Sequence, residues 1–186
     1  MANEIVLSRR ALAAVAGLGA AMAAGGAAGG ADAARPAAFT ESDRAAVIDL
    51  FSAFCWSFDC TDEEAFLDLF TGDALVVGMG VAHRGREAIA RWFRYLVVLR
   101  EKDGDDWLHE AGQFRLVPDG AGCIAYAYAT HFGANPQTGA RFVRSLGYFV
   151  ADCVRADGRW RFRRFSISGW DKALLPWKKP LPWDGL

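Results

Sequence analysis

The chain has 186 residues, 53% of them hydrophobic and 13% aromatic, enough to build the core of a globular domain; this excludes a disordered or fibrous chain. Lysine and arginine number 21 against 22 aspartate and glutamate, a formal charge of −1. That near-neutral balance argues against a nucleic-acid partner, which calls for a basic face to meet phosphates.

Residues 1–33 read as an export signal. Ser8-Arg9-Arg10-Ala11-Leu12 precedes an uncharged run of alanine, glycine, valine and leucine through Gly30, the pattern of a twin-arginine leader, and Ala31-Asp32-Ala33 offers an A-x-A cleavage site. The run is too weakly apolar to stay in lipid, and no other segment is long and apolar enough to span a bilayer. The expectation is a periplasmic or secreted protein, without stable membrane insertion after export. Residues 34–39 form a short linker.

Thr40-Glu41-Ser42-Asp43 opens a helix with a capping box, and Val47, Leu50, Phe51, Phe54 and Phe58 recur on one face, with Asp59 directly after. Thr61-Asp62-Glu63-Glu64 reads as a second capping box, starting a short helix that carries Phe66, Leu67 and Phe70 and ends at Thr71-Gly72-Asp73. Residues 74–79 are strand-like, 80–85 a turn, and 86–99 a third helix with Ile89, Trp92, Phe93, Leu96 and Val97 inward. After a charged loop, residues 107–117, 122–132, 141–155 and 159–168 alternate as strands between turn signals. Helices first and a long meander afterwards define an α+β domain over residues 40–169, its helices packed on one face of a curved antiparallel sheet around a pocket. Residues 170–186, rich in proline and tryptophan, read as an extended tail placed to cover an edge or a pocket mouth.

Four cysteines, Cys55, Cys60, Cys123 and Cys153, allow three full pairings in an oxidising compartment, and no CxxC spacing suggests a metal or redox site. The hairpin of residues 122–132 and 141–155 brings Cys123 and Cys153 to its open end, where they could pair.

Three histidines are present. His83 lies in a polar turn and reads as solvated. His131 ends a strand face of Cys123, Ala125, Ala127 and Ala129, and such small residues suggest empty volume, hence a cavity lined by Ala127 and Ala129 with His131 projecting into it; a core histidine bonded to backbone is the alternative. His109 gains interest from Asp59: a carboxylate ending an apolar helix needs a partner, and one that fixes an imidazole nitrogen leaves the other as a general base. Ser145 shares the face of His131 if the hairpin register pairs them, while Tyr126 and Tyr128 fall on the opposite face.

These residues resemble the SnoaL-like branch of the nuclear transport factor 2-like cone fold, over most of residues 40–170. Phe58-Asp59-Cys60-Thr61-Asp62 is similar to the aspartate-bearing segment of scytalone dehydratase and hexachlorocyclohexane dehydrochlorinase, and Asp59 falls on their catalytic aspartate. His109, with Arg115 six residues on, resembles the dehydrochlorinase histidine that pairs with that aspartate and the first active-site histidine of the dehydratase; His131 falls on the second. Asp157-Gly158-Arg159-Trp160-Arg161-Phe162 is similar to the closing motif of many members. Phe58 replaces a phenol of the dehydratase, and Gly147 and Phe149 fall near its serine and asparagine, so its own substrate is not expected.

The resemblance implies a cone-shaped α+β barrel and a lyase or isomerase without cofactor or metal, in which Asp59, His109 and His131 carry acid–base chemistry. Phe54, Phe58, Trp92, Ala127, Ala129 and Ser145 would bind a small, largely apolar or cyclic substrate. Which histidine is the base stays open, as does a homo-oligomer. A pocket protein binding an apolar ligand without catalysis is the alternative, because fold alone does not give function.

Overall fold

The computed structural model describes residues 38–78, 80–172 and 175–186. The leader read over residues 1–33 and the first four linker residues lie outside them. None of the described helices is long and apolar enough to cross a membrane.

Helix α1, Glu41–Asp59, starts on the expected capping box: Asp43 N–H donates to Thr40 Oγ1 at 3.2 Å and Thr40 N–H to Asp43 Oδ2 at 2.9 Å. Asp43 also accepts from Trp160 Nε1 at 3.1 Å and from Arg155, so the cap ties the helix to the far end of the sheet. The Thr40 backbone N–H, first among these donors, holds the Asp43 carboxyl below the usual carboxylate range. Helix α2, Glu63–Leu67, is capped by Asp62, which accepts from Ala65 N–H at 3.0 Å; Thr61, read as the cap, instead takes a positive φ of 60°. Helix α3, Arg86–Asp103, runs one turn beyond the expected end and stops at Gly104, whose φ of 74° is the left-handed cap conformation that glycine adopts freely.

The strands are β1 Phe70–Gly78, β2 Val81–Arg84, β3 Asp106–Asp119, β4 Gly122–Ala134, β5 Arg141–Ala156 and β6 Arg159–Gly169. They form a curled, unclosed sheet in the order β2-β1-β6-β5-β4-β3. Two local expectations change. Thr71, Gly72 and Asp73 belong to β1 rather than to a helix end, and residues 81–84, read as a turn, pair with β1 as a short exposed edge strand. The sheet is also mixed, because β1 and β6 run parallel. A parallel pair needs a long connection, and here almost the whole domain provides it.

The inner sheet face packs on α1 through phenylalanine: Phe54 and Phe165 centroids lie 4.5 Å apart, Phe51 and Phe162 5.1 Å, and Phe51 and Phe114 5.4 Å. Complete burial of such a side chain stabilises by about 1.5–3 kcal/mol. The other sheet face has its own cluster, where Trp183 is buried against Leu75, Tyr126, Tyr148 and Val150, with Trp177 and Leu181 beside it. The tail therefore packs on the outer sheet face and reaches the edge strand β3, where Arg115 Cζ lies 4.5 Å from the Trp177 ring, and it is not wholly extended: Pro176–Lys178 is a 3-10 turn.

Candidate active site

Asp59 is the last residue of α1, delivered there by the apolar face that buries Phe54 and Phe58. An acid at a helix C-terminus opposes the helix dipole, and the last turn of α1 has no basic residue. Arg100 of α3 supplies the missing cation: its Nη1 donates to the carbonyls of Phe58 and Asp59 at 3.3 and 3.2 Å, and its Nη2 to Thr61 Oγ1.

The Asp59 carboxylate meets His109 of β3 twice. Oδ2 accepts from the His109 backbone N–H at 2.8 Å, and Oδ1 lies 2.7 Å from Nδ1. A carboxylate can only accept, so Nδ1 carries the proton of the neutral ring and Nε2 is left as its basic nitrogen. Both side chains are mostly buried, 17% and 15% exposed, and the Phe58 ring meets the imidazole edge-on at 5.1 Å.

Strand register brings the remaining polar groups together. His131 of β4 lies directly opposite His109, and Ser145 of β5 opposite His131. The two imidazoles stack with centroids 4.4 Å apart at 17°, and Trp107, two residues before His109 on the same face, meets His131 edge-on at 4.6 Å. Burial first, then the neighbouring His109 and Arg144, push the His131 pKa down to about 4, so this ring is neutral at neutral pH. Its Nε2 is buried without a hydrogen-bond partner among the described residues.

These groups face a cavity of about 330 Å³, lined by Phe54, Phe58, Trp92, Leu96, Leu99, Trp107, His109, His131, Arg144, Ser145 and Ile167. Trp92 reaches its place because β1 has glycine beneath it: a Cβ on Gly78 would stand 2.6 Å from the indole. His83 is half-buried, stacked on Trp92 at 5.6 Å rather than solvated, and burial lowers its pKa.

Of the residues read from sequence, Phe54, Phe58, Trp92, His109, His131 and Ser145 meet at this cavity, and Asp59 stands behind His109. Ala127 and Ala129 do not line it. They are buried in the main core, in the cluster that also holds Phe51, Phe54 and Phe149. Leu96, Leu99, Trp107, Arg144 and Ile167 were not singled out as lining; the two-residue spacing of Trp107 and His109 was the available signal for one of them. Among the described residues no three His, Cys, Asp or Glu side chains come together in a way that could hold a metal ion.

The chain belongs to the SnoaL-like domain family, which matches residues 40–166. Members of this family include dehydratases and polyketide cyclases, and they typically bind small molecules. Aln2 from a Streptomyces species is 22% identical, with a TM-score of 0.63 over 70% of this chain and 92% of its own. ActVI-ORFA from Streptomyces coelicolor is 16% identical, with a TM-score of 0.65 over 74% of this chain and 100% of its own. An NTF2-like protein with a cystatin-like fold from Novosphingobium aromaticivorans is 21% identical, with a TM-score of 0.62 over 71% and 84%. At these identities the likeness is one of fold. No curated protein matches the chain.

Proposed function

We propose that the domain is a cofactor-independent lyase or isomerase that removes a proton from a small, largely apolar cyclic substrate, with Asp59 and His109 acting as one unit. The observation that carries this reading is the double contact of the Asp59 carboxylate with His109, 2.7 Å to Nδ1 and 2.8 Å to the backbone nitrogen. Held in that way, the imidazole has one tautomer and one orientation, with Nε2 as its free base. In the step proposed, the substrate C–H bond breaks, the proton bonds to Nε2, and the electron pair moves into an adjacent acceptor or expels a leaving group. The imidazolium so formed is stabilised by Asp59. His131, stacked alongside and neutral, adds no second charge and assists the leaving group or a carbonyl.

The probe reaction is deuterium exchange at the carbon next to the carbonyl of 1-tetralone in D2O, followed by proton NMR. Exchange above the buffer rate that disappears in His109→Ala supports the enzyme. Binding of the ketone without exchange would instead make this a binding protein.

We also infer that the chain is exported by the twin-arginine route and works in the periplasm or outside the cell, on the strength of Arg9-Arg10 and the weakly apolar run behind them.

A further inference from the structure

The tail covers one part of the outer sheet face and leaves another bare. Under the tail, Leu75, Tyr126, Tyr148 and Val150 are at most 7% exposed. In the bare part Leu108 is 57% exposed, Val143 53%, Leu146 52%, Tyr128 45% and Trp170 44%. Register makes them neighbours: Leu108 and Val143 flank Phe132, and Trp170, bonded through its N–H to the Leu146 carbonyl, meets Tyr128 edge-on at 5.1 Å. One extra residue in β5 arranges this. Ser145 is opposite His131 and Val143 opposite Phe132, so Arg144 forms a bulge that turns Val143 and Arg141 outward, where regular alternation would send them inward.

The bare part is large enough for a stable contact. At roughly 200 Å² for a large side chain, half exposure of these five residues presents on the order of 500 Å² of apolar surface, more than a monomer ordinarily leaves in one patch without a use for it. A standard interface takes about 800 Å² from each partner and homodimer interfaces are about 65% apolar, so about 500 Å² is what one side needs. The charges then name the partner. The next row of the same face is Asp106, Ala134 and Arg141, with the acid and the base two strand spacings, about 10 Å, apart. Both are exposed, and neither has a salt bridge among the described residues. A surface that ends in an acid on one side and a base on the other fits the same surface turned over.

We propose that the bare part of the outer face is a self-association surface whose occupant is a second copy of this chain, related to the first by a two-fold axis lying along β4. Such an axis lays β3 of each copy over β5 of the other. Asp106 then meets Arg141 of the partner subunit, twice in the dimer, Leu108 meets Val143 of the partner subunit, and Phe132 and Tyr128 pack near the axis. Glu110, exposed on the edge strand, falls at the solvated rim. The tail sets the limit of the contact, because it already covers the rest of the face. Residues 170–186 lie beyond the 40–166 that the family matches, so that limit belongs to this chain. The contact is on the opposite side of the sheet from the cavity and stands apart from the reading of that cavity.

The test is sedimentation equilibrium of the full chain at micromolar concentration. Wild type should sediment at twice the mass of one chain. Leu146→Glu, a change at a half-exposed position, should sediment as a monomer with an unchanged circular dichroism spectrum. The charge pair gives a second arm that stands even if Leu146→Glu does not fold. Asp106→Arg and Arg141→Asp should each weaken association about tenfold, since two exposed ion pairs become two repulsions. An equimolar mixture of these two variants should associate as tightly as wild type, because each copy supplies the charge that the other lacks. Pairing of Asp106 with Arg141 inside one chain gives no such restoration. A wild-type chain that stays monomeric, whether its own residues 1–37 or a different partner takes the face, overturns the proposal. So does an assembly larger than two, association that persists in a folded Leu146→Glu, or a mixture that associates no more tightly than its components.

Discussion

Asp59 and His109 are joined through both carboxylate oxygens, one to the ring and one to the backbone of the same residue. The backbone contact fixes where the carboxylate sits, so the ring contact is not free to wander. Nitrogen-15 NMR on wild type should show His109 with its proton on Nδ1 and a bare Nε2. In Asp59→Asn the side-chain amide is able to donate to Nδ1, and the proton should move to Nε2. An Nε2–H signal in wild type would contradict the orientation argued for the base.

His131 carries a pH signature. Its folded pKa of about 4 lies below the ordinary 6.5, so the unfolded chain binds the proton more readily. Its contribution to stability is complete above about pH 6.5 and is lost as the pH falls toward 4. Denaturant titrations of wild type and His131→Phe across that interval should show the variant losing less stability on acidification. Parallel curves would mean that the ring is free to protonate in the fold.

The thiols sort by burial. Cys123 and Cys153 are opposite each other across β4 and β5 and fully buried, yet both are free, and burial pushes the Cys153 thiol well up; Cys55 is pushed up to about 12. Only Cys60 is exposed. Brief alkylation of the native protein should label one thiol and alkylation in denaturant all four. Two labels in denaturant without reductant would reveal the cross-strand disulfide that the register permits.

Much of the site could be read from sequence because its residues obey simple periods. The phenylalanine face of α1 ends at Asp59, and His109 and His131 each fall on the inner face of a two-residue alternation. The misreadings have physical causes. Ala127 and Ala129 looked like cavity wall because a strand does not show what packs against it, and both lie in the main core with Phe51 and Phe54. Arg144 was invisible because a bulge breaks the alternation that assigns a face, and no local signal marks the extra residue. Strand β2 was read as a turn because it is four residues long and almost wholly exposed, and the parallel pairing of β1 with β6 joins segments from opposite ends of the domain.

Export is tested in cells. Replacing Arg9 and Arg10 together with lysine should leave the precursor in the cytoplasm at full length, while the wild-type chain appears in the periplasm or medium shortened near Ala33. Unchanged export of the double-lysine chain would set aside the twin-arginine assignment.

The central claim is that Asp59 and His109 work as one catalytic unit, and a double-mutant cycle in the 1-tetralone exchange reaction tests it most directly. General acid–base catalysis is worth about 10²–10⁴-fold, so Asp59→Asn and His109→Ala should each lower the exchange rate on that order. The double variant should lose little beyond the worse single one, because residues that act as a unit are strongly non-additive. Losses that multiply, or exchange that persists in His109→Ala, would contradict the account.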